Sequence, residues 1–403
     1  MRHILNIANS AVYDNSITKV EYHSYAPFIN TFENNNEIRI SIQHQDLYLL
    51  PSDSFIYIEG SLTKSDGTAT ASGRLVNNVV PFLFEEIRYE LNGVEIDRNR
   101  NMGYTSTIKN FLSLNEAESN SLMNAGWSER PSITTTDGHF NFCVPLKMLL
   151  GFAEDYTKII IGCKHELILI RARSDTNAVV SPTDDVRIHI HKLLWKIPHI
   201  SVCDEEKLTM LKVLGSDRPL QIPFRSWDMY EYPVLPTTKH HTWTVKTSTQ
   251  MEKPRFVILA FQTNKKNQKN KDGSTFDHCG LSDLKVHLNS ESYPYGDLNI
   301  RFDQDQYALL YDMFMNFQNV YYEQKNRHHS QTAVTKADFK TISPLFVINC
   351  THQNEVIKSG PVDIRLEFKT HENIPAQTTA YCLLLHDRLV EYNPLTSEVR
   401  KVT

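Results

Sequence analysis

Apolar and polar residues alternate most regularly between positions 37 and 43 of the chain. A period of two places alternate side chains on opposite faces of an extended strand, so this stretch predicts a strand with one buried face. A second strand-like run, 55–60, follows a turn at Pro51. The apolar positions of the first run are Ile38, Ile40 and Ile42, and the polar positions between them are Arg39, Ser41 and Gln43.

The same arrangement returns about half the chain further on. Trp243 and Val245 share one face of a strand-like run, Pro254 turns the chain, and an apolar run follows at 256–261. Both halves then continue in the same order: a polar loop, a strand, a turn, a helix and further strands. We therefore expect one β-domain to occur twice. The matched segments are the loops 65–73 and 264–273, the triplets 144–146 and 343–345, the strands 165–170 and 362–368, and the strands 186–195 and 381–386.

A tight turn is predicted at Asn92-Gly93, because a two-residue hairpin of this kind needs positive φ at both positions. At the corresponding place in the second half stand Asn289 and Ser290. The replacement of glycine by serine, together with the added segment 293–296, predicts a longer turn there.

After each turn the apolar period changes to that of a helix. Helices are predicted over 104–114 and 305–317, with Phe111 and Phe314 at matching positions. Each is expected to pack an apolar stripe against its own half. The stripes are Tyr104, Ile108, Phe111 and Leu112 in the first helix, and Tyr307, Leu310, Tyr311, Phe314 and Phe317 in the second, with Asp303 or Asp305 as its N-cap.

A further short helix is predicted to begin at Asn115, where Glu118 completes a capping-box pattern. Strands are predicted to return over 139–150, 159–170 and 186–195. The fold class that follows is all-β: two tandem jelly-roll β-barrels or sandwiches, a double jelly roll, with short helical insertions. Residues 1–205 form the N-terminal jelly roll with an N-terminal arm, and residues 206–403 the C-terminal jelly roll with a C-terminal tail.

Composition is ordinary for a folded protein, with 40% hydrophobic and 22% charged residues and a net charge of −5. This charge gives no reason to expect sequence-specific nucleic-acid binding. The first fifteen residues lack an apolar core, so no secretory signal is expected, and no run reaches the length of a membrane span. Six cysteines without a C-x-x-C pair are expected to be buried free thiols: Cys143, Cys163, Cys203, Cys279, Cys350 and Cys382.

Candidate chemistry is sparse. His189 and His191 share the polar face of one predicted strand, but no carboxylate follows before Asp204, so we expect them to face solvent or an interface. The adjacent pairs 240–241 and 328–329 should point to opposite sides of their strands. The cluster Lys265–Lys271 is expected to be a solvated loop tip, although phosphate binding is the alternative. We predict no catalytic, cofactor-binding or metal-binding residues and no cofactor.

The ordered pair of halves resembles the double jelly-roll major capsid proteins. The segment 22–27, the hairpin 91–96 and the helix beside it carry the resemblance, which is closest to the branch found in Polinton (Maverick) elements, adintovirus-like viruses and related insertions in animal genomes. It implies homotrimeric, pseudo-hexameric capsomers of an icosahedral viral or virus-like shell. The implied partners are other copies, neighbouring capsomers and a penton or minor capsid protein. The implied location is the virion, after assembly in the host cytoplasm or nucleus.

Two further expectations accompany this reading. The polar segments 1–20 and 393–403 lack a packing pattern and are expected to be arms that tie neighbouring capsomers or point toward the shell interior. The alternative function is a bicupin-like two-domain jelly-roll metalloenzyme or sugar-binding module, since cupins also begin a metal site with His-x-His. Stoichiometric Fe, Mn or Zn in the purified protein would favour this alternative.

Overall fold

The computed structural model describes residues 16–43, 48–70, 72–128, 137–215, 218–245, 254–289, 291–322, 332–352 and 362–402. The first half contains strands β1 (Ile17–Tyr25), β2 (Glu37–Ile42), β3 (Tyr48–Leu49), β4 (Phe55–Lys64), β5 (Arg74–Leu75), β6 (Phe84–Leu91), β7 (Val94–Arg100), β8 (His139–Pro145), β9 (Ile160–Ile161), β10 (His165–Arg171), β11 (Val179–Val180) and β12 (Val186–Val202). Its helices are α1 (Val79–Phe82), α2 (Met102–Ser113), α3 (Glu116–Ser121) and α4 (Gly151–Asp155).

Helix α5 (Asp204–Leu214) connects the halves. The second half contains β13 (Leu220–Tyr232), β14 (His240–Val245), β15 (Pro254–Thr263), β16 (Leu281–Leu288), β17 (Glu291–Tyr293), β18 (Phe346–Asn349), β19 (Ile364–Thr370), β20 (Thr378–Asn393) and β21 (Glu398–Val402), with helices α6 (Ala308–Tyr321) and α7 (Lys336–Thr341).

Both halves pair their strands in the same order. In the first half one sheet has the order β8-β4-β12-β1, with β3 also on β12 and β9 on β3, and the other has the order β2-β10-β6-β7. In the second half the corresponding orders are β18-β15-β20-β13, with β21 also on β20, and β14-β19-β16-β17. All these pairs are antiparallel. Within the described residues, each of these strands pairs only inside its own half. The predicted repetition is therefore present as strand topology.

The two sheets of each half face one another across an apolar core. In the first half the ring of Tyr89 on β6 meets Trp195 on β12 at 5.9 Å between centroids. In the second half Phe261 on β15 meets Phe368 on β19 at 5.4 Å. The alternation that predicted β2 is confirmed, since Ile38, Ile40 and Ile42 are fully buried. Burying one face of each strand is what such alternation achieves.

The two hairpin turns are equally short. Asn92 and Gly93 both have positive φ, 49° and 78°, as predicted for this turn. In the second half Leu288 pairs directly with Glu291, so only two residues connect β16 and β17. The predicted longer turn is therefore wrong, because Asn289 adopts the left-handed conformation, φ 54°, without a following glycine.

Helices α2 and α6 lie where the change of period predicted them, and Phe111 and Phe314 are buried in them. The capping box of α3 is also confirmed, since Asn115 and Glu118 exchange hydrogen bonds. Two details differ. Every residue of α2 is buried rather than one stripe, because Ser106 on its polar side bonds within the first half while Tyr104 stacks on Tyr381 of the second half. Neither predicted aspartate caps α6: its N-cap position is Tyr307.

Other boundaries and one matched segment also differ from the expectations. Strand β8 ends at Pro145, where proline cannot donate to the ladder, and a short 3-10 turn and α4 follow. Strands β8 and β18 are counterparts, since they pair with β4 and β15. Pro145 is the last residue of β8 and lies opposite Phe55, whereas Pro344 comes before the first residue of β18. The residue of β18 that lies opposite Phe256 is Asn349, at its far end. The match between triplets 144–146 and 343–345 is therefore wrong.

Parts of the two predicted arms form strands. Positions 17–20 belong to β1 and 398–402 to β21, so these parts of the predicted arms are strands. Residues 1–15 lie outside the described residues. No helix in the described part of the chain is both long and apolar enough to cross a membrane.

Candidate functional site

The histidines singled out from sequence are at the surface or bonded to protein atoms. His189 is exposed, and the Nε2 of the exposed His191 lies 2.9 Å from the hydroxyl of Ser61. His240 is exposed while His241 is buried against Phe368, so this adjacent pair points to opposite sides as predicted. The pair 328–329 lies outside the described residues.

The cysteines fit the predicted class of free thiols, with three buried and three partly buried. Burial raises the pKa of Cys163 and Cys350 to about 12 in each case, which keeps both thiols protonated at neutral pH. Across the described residues, no three His, Cys, Asp or Glu side chains are grouped so that they would hold a metal ion.

The lysine-rich loop is exposed over 267–271, as expected for a solvated loop tip, but it also bonds to the first half. Its Asn267 exchanges two hydrogen bonds with Asn177 of the first half, at 2.6 and 3.1 Å. The carbonyl of Lys269 accepts a 2.6 Å bond from the amide of Ser181. Lys266 instead pairs within the second half, with Glu231 of β13 at 2.5 Å. The loop therefore docks onto the first half and contributes to the junction between the halves.

The centre of that junction is the contact between α4 and β13. The Arg225 guanidinium binds both carboxylate oxygens of Asp155, with Nε at 2.8 Å from Oδ2. The Arg225 amide donates to the same Oδ2 at 2.7 Å. Gly151 lies so close to this strand that a Cβ at its position would approach the Arg225 carbonyl to 1.7 Å. A bidentate arginine pair of this kind fixes orientation as well as providing attraction.

Glu154 joins three elements beside this contact. Its carboxylate accepts bonds from Lys109 Nζ at 2.8 Å, from the hydroxyl of Tyr321 at 2.7 Å and from that of Tyr322 at 2.9 Å. Burial alone would raise the pKa of Glu154, but Lys109, the Tyr321 hydroxyl and Arg225 outweigh it, so the pKa is lowered. Glu154 therefore holds α2, α4 and α6 together as an ionised carboxylate at neutral pH.

Asp97 is a second carboxylate in the junction, and it is almost completely buried. It accepts a bond from the amide of Phe152 at 3.0 Å and from the hydroxyl of Ser226 at 3.2 Å. Burial raises the pKa of Asp97 above its ordinary value. Asp97 thereby links β7 and α4 of the first half to β13 of the second.

Sequence reasoning did not find these junction residues. Asp155 and Arg225 are far apart in the chain and belong to no recognisable motif. The available signal was weak: Glu154 and Asp155 interrupt an apolar stretch, and carboxylates in such a place need partners. The identity of the partners depends on how the halves pack.

A groove of about 860 Å³ runs beside β13 and contains three arginines. Each arginine is paired with a carboxylate: Arg225 with Asp155, Arg255 with Asp387, and Arg388 with Asp228. The three arginines of the groove therefore form structural ion pairs, and each guanidinium group has a carboxylate partner within the protein.

The tandem repetition of one antiparallel two-sheet topology, with its halves joined through a buried polar junction, defines a double jelly roll. The sequence model of the double jelly roll-like domain matches residues 73–390, and the chain belongs to this family. No curated protein matches the sequence.

Solved structures share this fold at low sequence identity. A chain of the Sputnik virophage structure has a TM-score of 0.62 at 10% identity, covering 99% of this chain and 91% of its own. The Faustovirus major capsid protein has a TM-score of 0.60 at 10% identity, covering 98% and 93%. The mavirus major capsid protein has a TM-score of 0.54 at 10% identity, covering 99% and 92%.

Proposed function

We propose that this protein is a major capsid protein that forms homotrimeric, pseudo-hexameric capsomers of an icosahedral viral or virus-like shell. The observation that carries the proposal is membership of the double jelly roll-like family together with the repeated topology of the two halves. The Faustovirus and mavirus proteins that share the fold are named major capsid proteins. Two equivalent halves per chain give a trimer six similar units, which suits a hexagonal position in a shell.

The proposal assigns residues 1–205 to one jelly roll and 206–403 to the other. This division is supported by strand pairing within each half and by the position of α5 at the boundary. The protein acts as a structural subunit rather than an enzyme and is located in the virion. Its partners are other copies of the chain, neighbouring capsomers and a penton or minor capsid protein.

The test uses the full chain after expression and purification. Light scattering is expected to give three times the chain mass of 46.6 kDa at micromolar concentration. Electron microscopy is expected to show particles with a hexagonal outline. The interfaces between copies are expected to bury about 2,000 Å² or more per contact, as in obligate assemblies. A stable monomer under these conditions contradicts the proposal. Metal analysis of the purified protein is the second measurement, because stoichiometric Fe, Mn or Zn would favour the bicupin-like alternative.

A further inference from the structure

Helix α5, which connects the two halves, is uncovered. None of its eleven residues, all of which the structure describes, is buried. An isolated helix shorter than about 12–15 residues is only marginally stable in water, and most helices in proteins are stabilised by packing an apolar face. Helix α5 is therefore expected to pack against a further surface that the described part of one chain does not supply.

The helix carries apolar residues on its inner and its outer side. The partly buried residues Glu206, Met210 and Leu214 follow one another at helical spacing and form the inner side. Leu208 and Leu211 lie three residues apart on the outer side and are 60% and 59% exposed. A helix with apolar residues on both sides is normally covered on both, so the outer side is a contact surface.

The charges of α5 are separated along its length. Its first turn carries the carboxylates of Asp204, Glu205 and Glu206, and its last turn carries the ammonium group of Lys212. Lys207, the other cation, already pairs with Asp204 at 3.1 Å. Two copies of α5 placed antiparallel bring Lys212 of each helix beside the acidic first turn of the other. The outer face of α5 is therefore complementary to itself in charge, and the antiparallel helix dipoles also attract.

We propose that α5 pairs antiparallel with α5 of a second copy, with Leu208 and Leu211 of both helices between the charged ends. The contact is isologous, because the same face of both helices takes part, and it closes on a two-fold axis. The inference rests on the proposed function in that the units joined are trimers, each with three α5 helices. One pair of short helices is a contact below the roughly 1,200 Å² of standard interfaces, so association between trimers is weak and depends on concentration.

The segment 1–15 is the other possible cover of α5. It joins the described chain at Ser16, whose carbonyl accepts a 2.9 Å bond from the amide of Cys203 at the start of α5. The charged residue nearest to this junction is Asp14, which comes two positions before Ser16. It adds a carboxylate next to the acidic first turn of α5, where like charges repel. The charges therefore favour a second α5 as the occupant.

Light scattering of the full chain over a range of concentrations tests the contact. The unmodified protein is expected to grow from the trimer to at least twice the trimer mass as the concentration rises. Leu208→Asp/Leu211→Asp is expected to remain a trimer at every concentration. Val213→Asp is the matched control and should associate like the unmodified protein, since Val213 is 52% exposed but in line with Met210 of the inner side. The melting temperature shows that each variant is folded.

Exchange of charges tests the antiparallel arrangement. Asp204→Lys/Glu205→Lys makes both ends of α5 cationic, and Lys212→Glu makes both ends anionic. Each variant alone is expected to stay trimeric, because like charges then meet at both ends of the contact. The mixture of the two is expected to associate, because each end then meets the opposite charge. A mixture that stays trimeric overturns the inference, as does a folded Leu208→Asp/Leu211→Asp variant that associates beyond the trimer.

The remaining outcomes separate this contact from the other occupant and from the proposed function. Loss of association in Ile4→Asp/Leu5→Asp assigns the cover to the segment 1–15 and overturns the pairing of α5. An unmodified protein that stays trimeric at all concentrations also overturns it and leaves the capsid proposal intact. An unmodified protein that dimerises through α5 without forming trimers contradicts the proposed function alone, and a monomer at all concentrations contradicts both.

Discussion

Asn289 makes in the second half the same two hydrogen bonds that Asn92 makes in the first. The Asn92 amide donates to the Lys164 carbonyl at 2.9 Å, and its Oδ1 accepts from the Lys164 amide at 2.7 Å. The Asn289 amide and Oδ1 make the same contacts with Asp363, at 3.1 and 2.9 Å. Each asparagine thus ties a hairpin turn to the residue before the neighbouring central strand, β10 or β19.

Substituting these asparagines should destabilise each half in the same way. Asn92→Ala and Asn289→Ala are each expected to lower the free energy of unfolding by about 1–3 kcal/mol, through lost bonds and an alanine forced to positive φ. Denaturant unfolding measures the loss. Asn92→Gly is the matched control, because glycine restores the backbone freedom without the side-chain bond. Equal losses for Asn92→Ala and Asn92→Gly would show that positive φ contributes nothing.

Phe111 and Phe314 have comparable surroundings in their halves. The Phe111 ring meets Trp127 at 5.0 Å and an interplanar angle of 67°, and Phe314 meets Phe339 at 5.1 Å and 61°. We expect Phe111→Ala and Phe314→Ala each to cost roughly 3–5 kcal/mol, as for other buried phenylalanines, and to reduce soluble expression and assembly.

Lys269→Ala is the control for the two phenylalanine substitutions. The Lys269 side chain is half exposed and 3.8 Å from Asp185, while the bond from Ser181 uses the Lys269 backbone carbonyl, which alanine keeps. Its effect is expected to stay within about 0.5 kcal/mol. A mild effect at either phenylalanine, comparable to that of Lys269→Ala, would contradict the packing described.

The close approach of Gly151 to β13 can be tested with a single methyl group. Gly151→Ala is expected to push α4 away from Arg225 and to cost about 1–3 kcal/mol or more, because the obstructing atom is a backbone carbonyl. Scanning calorimetry should show a lower melting temperature. Gly296→Ala introduces the same methyl group where no atom lies within 4 Å, and should leave the melting temperature unchanged. Similar behaviour of the two variants would mean that the halves adjust freely at this contact.

The buried His165 is expected to make the folded N-terminal half less stable in acid. Its Nδ1 lies 2.6 Å from the Tyr89 hydroxyl, and burial lowers the pKa of His165 from 6.5 to about 3. Between these values the unfolded chain binds more protons than the folded one. The stability from this group is therefore complete above about pH 6.5 and is lost as the pH falls toward 3, by at most about 1.4 kcal/mol per pH unit.

Unfolding measured at a series of pH values checks this dependence. His165→Gln should flatten the slope between pH 6.5 and 4, whatever its effect on absolute stability. The exposed His189 provides the control, and His189→Gln should keep the slope of the unmodified protein. An unchanged slope in His165→Gln would assign the acid sensitivity to other groups.

The sequence alone determined the features that depend on local patterns. Alternation at Ile38, Ile40 and Ile42 specified a strand with one buried face, because the pleat exposes successive side chains to opposite sides. Asn92-Gly93 specified a two-residue turn, and Asn115 with Glu118 specified a helix start. The order of these local elements was sufficient to predict the repeated jelly-roll architecture.

Only the tertiary structure decided which surfaces the two halves present to each other. The sequence predicted one buried stripe on α2, yet the whole helix is buried. Its Ser106 donates to the Met148 carbonyl of the first half, while its Tyr104 stacks on the second half. The loop containing Asn267 is exposed as predicted, yet it also bonds to Asn177 of the first half, which no local pattern indicated. The spacing of apolar residues along a strand or helix predicts only which side of that element faces its own sheet. The bond between Arg225 and Asp155 instead depends on the packing of distant segments, and no sequence pattern between the two residues predicts it.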